Sequence, residues 1–171
     1  MELTLVRAGQ EHLPFIMATE RGEGYEQLVG RWDEARHRAA FEDGSHAYFV
    51  GFEGGDPVGF ALLRFWDSPE RATLIRRVAV VTPGEGRGRR LLAAVVRRAF
   101  SETPVHRLQI GLFPDNLRAR RAYEAVGFQA EGVSRGSAFF HGEYRDELVM
   151  SLLRPEWEAR VTGISPDRSA R

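Results

Sequence analysis

Three glycines at alternate positions constrain the possible fold and ligand of this chain more than any other feature. Gly84, Gly86 and Gly88 stand in the stretch TPGEGRGRRLLAAVV, which follows the apolar run ATLIRRVAVV. Leucines, alanines and valines at helical spacing come next. A glycine-rich loop between a buried strand and a helix usually presents backbone N–H groups to an anion, most often a phosphate. The stretch therefore predicts a strand–loop–helix unit with an anion site.

Counting positions separates this loop from two common phosphate-binding motifs. A dinucleotide fingerprint, G-x-G-x-x-G, would need glycine where the chain has Arg89 or Leu91. A P-loop needs a lysine, and all 24 basic residues of this chain are arginine. The remaining pattern is P-G-x-G-x-G-R. A turn that only joins strand to helix is the structural alternative, although such a turn needs one glycine rather than three.

The charge around the loop is positive although the whole chain is formally neutral. Zero net charge gives no global attraction to nucleic acids or membranes, so neither is expected as a partner. The local excess favours a multiply charged anion as the ligand. The arginines concerned outnumber the one nearby glutamate, Glu85, and are Arg76, Arg77, Arg87, Arg89, Arg90, Arg97 and Arg98.

Several classes of function are excluded or disfavoured by composition. The chain has no cysteine, which rules out disulfides, cysteine nucleophiles and thiolate metal sites. The five histidines form no pair at the i, i+4 spacing of zinc-binding helices, so no metal is expected. No segment approaches the roughly 18 apolar residues of a membrane span, and no leader-like run opens the sequence. We expect a cytoplasmic protein.

Apolar periodicity over the 171 residues alternates between strand and helix spacing. This order predicts an α/β fold with a mixed sheet, one domain over residues 1–158 and a flexible tail over 159–171. The expected elements are a strand at LTLVR, a helix over 10–20, a second helix from Tyr25 to Glu42, a hairpin around EGGDP, the strand–loop–helix unit, a strand at HRLQIGLF, a helix in DNLRARRAYEAVGF, and two long strands joined at His141-Gly142.

The compact helix in DNLRARRAYEAVGF has clear ends. Asn116 is a good N-cap, and Gly127 stands where a C-terminal glycine belongs. Tyr123 falls on the inner stripe of this helix, where a tyrosine is ordinarily a core residue. Its unperturbed pKa is about 10, so it would stay protonated at neutral pH and could act as an acid.

The two segments RRVAVVTPGEGRGRRLL and DNLRARRAYEAVGFQAEG together resemble the GCN5-related N-acetyltransferase (GNAT) superfamily, over about residues 3–155. Its signature is a strand, a Q/R-x-x-G-x-G/A loop on the coenzyme A pyrophosphate, and then N…A…Y…GF. The segment EGVSRGSAFFHGEYRDELVMSLLRPEW is similar to the ending of RimJ/RimL-like members, which acetylate ribosomal protein N-termini and other amines. The resemblance implies a mostly antiparallel sheet of six to seven strands with about four helices.

The resemblance also implies roles for individual residues, with acetyl-CoA as co-substrate. Tyr123 would protonate the departing thiolate, and Asn116 would cap its helix and touch the cofactor arm. A backbone N–H near Val80 would polarise the thioester carbonyl. The pantetheine arm would pair with Val78, Ala79 and Val80, and the pyrophosphate would lie on the backbone amides of Gly84, Glu85, Gly86, Arg87, Gly88 and Arg89.

Two positions depart from the superfamily pattern. Pro83 stands where the loop usually has glutamine or arginine, which removes one side-chain contact. Many members place a glutamate base on the strand before the loop, but Arg76 and Arg77 fill the polar positions there. Glu20, on the inner stripe of the first helix, is the substitute candidate for the base. Its alternative role is that of an ordinary solvated glutamate at a helix end.

The missing base favours an acceptor that loses its proton easily. At pH 7 about one in ten α-amines of pKa about 8 is neutral, against roughly 1 in 2,500 lysine-like amines. We therefore expect acetyl transfer to a primary amine by direct attack, with a peptide or protein α-amine as the acceptor. Two alternatives stay open: a polyamine or aminoglycoside acetyltransferase, and a non-catalytic acyl-CoA-binding regulatory module.

The acceptor pocket is expected between ATERGEGYEQL and the final hairpin. Glu20, Glu23 and Glu26 in or beside that stretch would favour a cationic amine there, or would be solvated surface. The chain could act as a monomer, or as a homodimer paired through a strand edge.

Overall fold

The computed structural model describes residues 1–163, and these form a seven-stranded sheet with helices on both faces. The strand order is β1-β2-β3-β4-β5-β7-β6, and only β4 and β5 run parallel. The predicted α/β fold with a mixed, mostly antiparallel sheet is confirmed. The strands are β1 (Leu3–Arg7), β2 (Ala47–Glu53), β3 (Asp56–Arg64), β4 (Ala72–Val80), β5 (Arg107–Leu112), β6 (Gln129–Phe140) and β7 (Glu143–Leu153).

Five α-helices accompany the sheet, one more than the resemblance implied. None in the described part of the chain is long and apolar enough to cross a membrane. The fifth helix continues to Thr162, so the tail predicted from residue 159 overlaps its end, and residues 164–171 lie outside the described range. The helices are α1 (Leu13–Glu20), α2 (Glu34–Glu42), α3 (Arg87–Glu102), α4 (Leu117–Val126) and α5 (Arg154–Thr162).

The prediction of a helix from Tyr25 to Glu42 is wrong in its first half. Helix α2 begins only at Glu34, because Asp33 is extended and its side chain accepts a hydrogen bond from the N–H of Arg36 at 2.8 Å. Residues 21–29 form turns and bends instead, and residues 30–33 have no regular secondary structure. The Tyr25 side chain reaches the backbone of Val80, 55 positions away, and a long-range contact of this kind overrides local helix preference.

Two apolar clusters fill the two faces of the sheet. Alternating residues of β2 belong to different clusters: Phe49 packs toward α3, whereas Tyr48 and Val50 pack toward α1 and α2. Helix α3 covers its face with a stripe of fully or almost fully buried side chains. Burying each of the larger side chains stabilises the folded state by about 1.5–3 kcal/mol. The buried residues are Leu91, Leu92, Val95, Val96, Ala99 and Phe100.

The sheet opens between β4 and β5. Their pairing stops at Ile75 and Ile110, although both strands continue beyond those residues. A register shift beside Leu62 leaves Arg76 as an extra residue on β4, which is a β-bulge. Because a bulge bends its strand and increases the local twist, it accounts for the divergence of β4 from β5.

Candidate active site

A cleft of about 810 Å³ lies where β4 and β5 separate. Residues from both faces of the sheet line it. The loop before α3 and the inner side of α4 contribute from one face, and residues 28–32 contribute from the other. The end of the β6–β7 hairpin closes the remaining side. The sequence prediction placed the acceptor pocket between the segment after α1 and this hairpin, and both line the cleft.

The open edge of β4 presents peptide groups to the cleft. The N–H of Val81 bonds the carbonyl of Val58 on β3 at 2.9 Å. Since hydrogen bonding alternates along an antiparallel pair, the peptide groups of Val78 and Val80 face away from β3, and those of Ala79 face toward it. Val78 and Val80 therefore offer the edge that was predicted for pantetheine, and Ala79 does not.

The side chain of Tyr25 bonds both backbone groups of Val80 on this edge. Its hydroxyl accepts a hydrogen bond from the N–H of Val80 and donates one to the carbonyl of the same residue, both at 2.9 Å. Burial raises the pKa of Tyr25 above its ordinary value, so the hydroxyl keeps the proton that it donates. The N–H of Val80, predicted as the oxyanion donor, is thus already bonded here. Nothing in the sequence pattern around Tyr25 indicated this contact.

The glycine loop leads directly into the N-terminus of α3. Gly84 and Gly86 adopt left-handed backbone angles, with φ of 101° and 73°, which other residues adopt only with strain. The first intrahelical bond runs from the N–H of Arg90 to Gly86. The N–H groups of residues 87–89 therefore have no intrahelical acceptor and can bind an anion. A Cβ added at Gly84 or Gly88 would meet nothing within 4 Å.

Several arginines that were expected to attract an anion are bound to carboxylates. Glu53 on β2 bonds Arg90 at 2.7 Å and Arg87 at 3.1 Å, and these two hydrogen bonds lower the pKa of Glu53. Arg87 also pairs with Glu85, and neither of these two side chains lines the cleft. Of the predicted loop residues, Gly84, Gly86, Gly88 and Arg89 line it.

Helix α4 carries its two predicted residues into the cleft. Asn116 caps the helix as expected, because its side chain accepts the N–H of Ala119 at 3.2 Å. Tyr123 lies further along the inner side of α4. Burial raises its pKa to about 12, and nearby Tyr25 makes a smaller contribution. Its hydroxyl has no hydrogen-bond partner within residues 1–163. Tyr123 is therefore a protonated donor available to a ligand in the cleft.

Glu20 lies beneath the cleft rather than in it. The residue is fully buried, and Arg21 and His37 each contact its Oε1 at 2.8 Å. Arg77 donates to Oε2 at 3.2 Å. His37 in turn contacts the hydroxyl of Tyr48 at 2.8 Å, so Glu20 is the centre of a buried polar network. The candidate base from the sequence has no direct path to a ligand between β4 and β5.

Glu147 on β7 is the carboxylate that lines the cleft, and it is the only one to do so in the described part of the chain. Ser137 donates a hydrogen bond to its Oε1 at 2.9 Å. A Cβ at Gly111 would lie 2.8 Å from its Oε2, so the absence of a side chain there leaves room for the carboxylate. The alternation of side chains along EYRDELVM would have predicted that Glu147 faces the cleft, but only with the order of the strands in the sheet already known.

The two other acidic residues proposed for the acceptor pocket are elsewhere. Glu23 lines a smaller neighbouring cavity, and Glu26 accepts the N–H of Gly24 at 3.0 Å. Residues 1–163 also contain no group of three His, Cys, Asp or Glu side chains able to hold a metal ion. Most of the charged side chains that line the cleft are arginines. Its cationic lining residues are Arg31, Arg36, Arg76, Arg77, Arg89 and Arg118.

Comparison with known proteins gives consistent results. Residues 14–128, more than half of the chain, match the model of the Acetyltransferase (GNAT) family. The described fold resembles the crystal structure of spermidine N-acetyltransferase from Vibrio cholerae in complex with CoA and spermine, with a TM-score of 0.79 and 20% identity. That likeness covers 92% of this chain and 98% of the other.

Three curated relatives match shorter segments. The probable N-acetyltransferase YjcK of Bacillus subtilis is 35% identical over 75 residues, 44% of this chain and 41% of the relative. The ribosomal protein uS5-alanine N-acetyltransferase of Escherichia coli is 27% identical over 43% of this chain and 38% of its own length. The aminoglycoside N(6′)-acetyltransferase type 1 of Klebsiella pneumoniae is 41% identical over 96 residues, which are 49% of this chain and 48% of the relative. The matches thus span less than half of each relative.

Proposed function

Because the chain belongs to the GNAT family of acetyltransferases, we propose that it transfers the acetyl group of acetyl-CoA to a primary amine, specifically the α-amine of a peptide or protein. One observation carries this proposal. The cleft between β4 and β5 joins an anion-binding loop, an unpaired strand edge and a protonated tyrosine on a single path.

The residues along this path fit acetyl-CoA. The free N–H groups at the start of α3 suit its pyrophosphate, and the side chain of Arg89 adds a charge there. The amide-bearing arm can pair with Val78, whose peptide groups lack a partner strand. When bound, the thioester supplies an activated acyl group. Its sulfur would then lie within the part of the cleft that Tyr123 faces.

The reaction needs two proton transfers. As the amine nitrogen attacks the carbonyl carbon, a C–N bond forms and the C–S bond breaks. The proton of the attacking amine passes to Glu147, directly or through water, and Tyr123 donates a proton to the departing thiolate. We assign Glu147 rather than Glu20 as the base, because Glu147 lines the cleft and Glu20 is enclosed by Arg21, His37 and Arg77.

The charge of the cleft supports an α-amine over a polycation. Beside Glu147 the cleft carries Arg36 and Arg76, neither of which pairs with a carboxylate within residues 1–163, so a polyamine or an aminoglycoside would meet repulsion there. An α-amine carries a single charge and, with pKa about 8, is partly neutral at pH 7. The uS5-alanine acetyltransferase, by its name, modifies an alanine of a ribosomal protein, which is consistent with this acceptor class.

The variant Tyr123→Phe tests the proposal. It keeps the ring and removes the hydroxyl, so kcat should fall by about 10²–10⁴-fold while KM for acetyl-CoA stays unchanged. The measurement is release of free CoA thiol with an alanine-initiated peptide. Tyr144→Phe is the matched control, because Tyr144 is 77% exposed and lies outside the cleft, and it should retain the wild-type rate.

Two results would contradict the proposal. One is a Tyr123→Phe enzyme as fast as wild type, which would remove the acid role. The other is wild-type protein that binds acetyl-CoA but releases no thiol with peptides, polyamines, aminoglycosides or amino-acid analogues. That second result would identify an acyl-CoA-binding regulatory module.

A further inference from the structure

We propose that Arg36 and Arg76, which with the neighbouring Arg64 are here called the arginine cluster, bind a carboxylate carried by the acceptor molecule itself. The protein would then select amines that bear a carboxylate within a few bonds. The inference rests on the proposed function for the identity of the reacting amine, and it adds the second recognition point of the acceptor.

The cluster is built around a buried tryptophan. Trp32 is only 6% exposed, and the guanidinium carbon of Arg36 lies 4.1 Å from its ring centroid. The guanidinium carbon of Arg76 lies 5.8 Å from the same ring. Arg64 lies on β3, paired with Leu74 close to the bulge that contains Arg76. The ring of Trp32 thus fixes where the guanidinium groups of Arg36 and Arg76 lie, since arginine packs well on aromatic faces. The guanidinium carbon of Arg64 lies 5.0 Å from the ring centroid of its neighbour Phe65.

These three guanidinium groups are not neutralised within the protein. In the described range, none of them forms an ion pair or a side-chain hydrogen bond, whereas Arg77, the next residue along β4, pairs with Glu20. Burial lowers the pKa of Arg76, and the neighbouring charges of Arg64 and Arg36 lower it further, against a smaller opposing effect of Glu147. Three like charges held together in this way favour an anion between them.

The location separates the cluster from the cofactor loop. Trp32 belongs to the apolar core on the α1 and α2 face, whereas the glycine loop opens onto the α3 face. Arg36 and Arg76 nevertheless line the same cleft as Glu147. The bulge at Arg76 is what turns that side chain toward the cleft, which is a common use of bulges beside binding sites. Arg36 and Arg76 therefore face the acceptor and not the pyrophosphate.

The cleft consequently offers the acceptor two opposite charges. Glu147 receives the amine, and the arginine cluster receives an anion on the same molecule. Arginine binds a carboxylate through two parallel hydrogen bonds, which fixes orientation as well as affinity. Suitable acceptors are an α-amine followed by an acidic side chain, or a short amino acid or peptide whose own carboxy terminus is free. Spermidine, which has no anionic group, is a poor match.

The experiment compares four tripeptides that have alanine at both ends and differ mainly in charge. Ala-Glu-Ala-amide carries a side-chain carboxylate, Ala-Gln-Ala with a free carboxy terminus carries a terminal one, Ala-Gln-Ala-amide is neutral and Ala-Arg-Ala-amide is cationic. We expect kcat/KM of wild type for at least one carboxylate peptide to exceed that for the neutral amide by about 10-fold or more. The preferred carboxylate peptide identifies the source of the anion.

Two variants assign the preference to the cluster. Arg76→Gln and Arg36→Gln should each lower kcat/KM for the preferred carboxylate peptide by about 10-fold and change kcat/KM for the neutral amide far less, so that most of the carboxylate preference is lost. Arg97→Gln, an exposed arginine on α3 outside the cleft, is the matched control and should keep the preference. Both cluster side chains extend into the open cleft and lie outside the two apolar clusters, so the variants should fold, and thermal unfolding checks this.

Calorimetric titration with N-acetyl-Ala-Glu-Ala-amide provides a readout that does not depend on turnover. Binding of this probe that Arg76→Gln abolishes would support the inference even if no peptide were acetylated, and the proposed function alone would then fail. Acetylation of all four peptides at equal rates, or faster reaction of the cationic one, would overturn the inference and leave the proposed function standing.

Discussion

Glu20 and Glu147 are two carboxylates in opposite surroundings. Glu20 is fully buried and contacts three cationic or ionisable side chains, whereas Glu147 faces the cleft with one hydrogen bond from Ser137. A base must reach the proton that it removes, and only Glu147 has that access. We therefore assign Glu20 a positioning role, through Arg77 and the packing of Trp32 beneath the arginine cluster.

The variant Glu20→Gln tests this assignment. It leaves the buried guanidinium of Arg77 without its carboxylate, so the free energy of unfolding should fall by about 3–5 kcal/mol. Urea denaturation measures this loss. Glu34→Gln is the control, since Glu34 forms an exposed pair with Arg38 and should cost about 0.5 kcal/mol or less.

Enzyme assays on Glu20→Gln distinguish the two roles further. If Glu20 positions other groups, the folded variant should keep the shape of the wild-type pH profile of kcat/KM at a reduced level. A variant of normal stability that loses its pH-dependent rise would instead show that Glu20 is the base.

At the scale of elements, the β6 edge strand depends on a polar bridge that crosses β7. Glu131 on β6 pairs with Arg107 on β5 and accepts a hydrogen bond from Ser151 on β7. The hydrogen bond from Arg107, followed by that from Ser151, lowers the pKa of Glu131 to about 2. Most other side chains of β6 are exposed, so this bridge is one of few side-chain ties between the strand and the sheet.

The variant Glu131→Gln should reveal this bridge through its pH dependence. The unfolded-state pKa of glutamate is about 4.3, so the stabilising contribution of Glu131 is fully present above about pH 5 and is lost as the pH falls toward 2. Denaturation midpoints of wild type and variant should therefore differ at pH 7 and converge in acid. Glu124→Gln, in an exposed pair on α4, should show no comparable convergence, and a constant difference for Glu131→Gln would contradict the bridge.

Elements with strong local signals were predictable from sequence. The paired glycines 54 and 55 with positive φ form the β2–β3 turn, Asn116 and Gly127 mark the ends of α4, and the loop after β4 leads into α3 as expected. The segment before α2 was not predictable. Its conformation depends on the hydrogen bonds of the Tyr25 hydroxyl to Val80, a contact that only the assembled sheet creates.

At the scale of the whole molecule, a chain of zero net charge carries a strongly cationic cleft. The lining that we propose for acetyl-CoA was predictable, because one strand–loop–helix unit and one later helix contribute it. For the proposed acceptor side, the sequence predicted the two bordering segments but not the side chains that meet there. Trp32, Arg76 and Glu147 come from three distant parts of the sequence and meet only because β4 and β5 diverge. Sequence spacing contains no signal for such a meeting.

The most direct test of the account is the pH dependence of acetyl transfer to an alanine-initiated peptide, with thiol release and peptide mass measured in parallel. We predict one acetyl group on the α-amine per thiol released. The rate should rise as the amine, of pKa about 8, loses its proton. It should then stay level to pH 10, because the pKa of Tyr123 is about 12. Faster acetylation of spermidine than of the peptide at pH 7 would contradict the account.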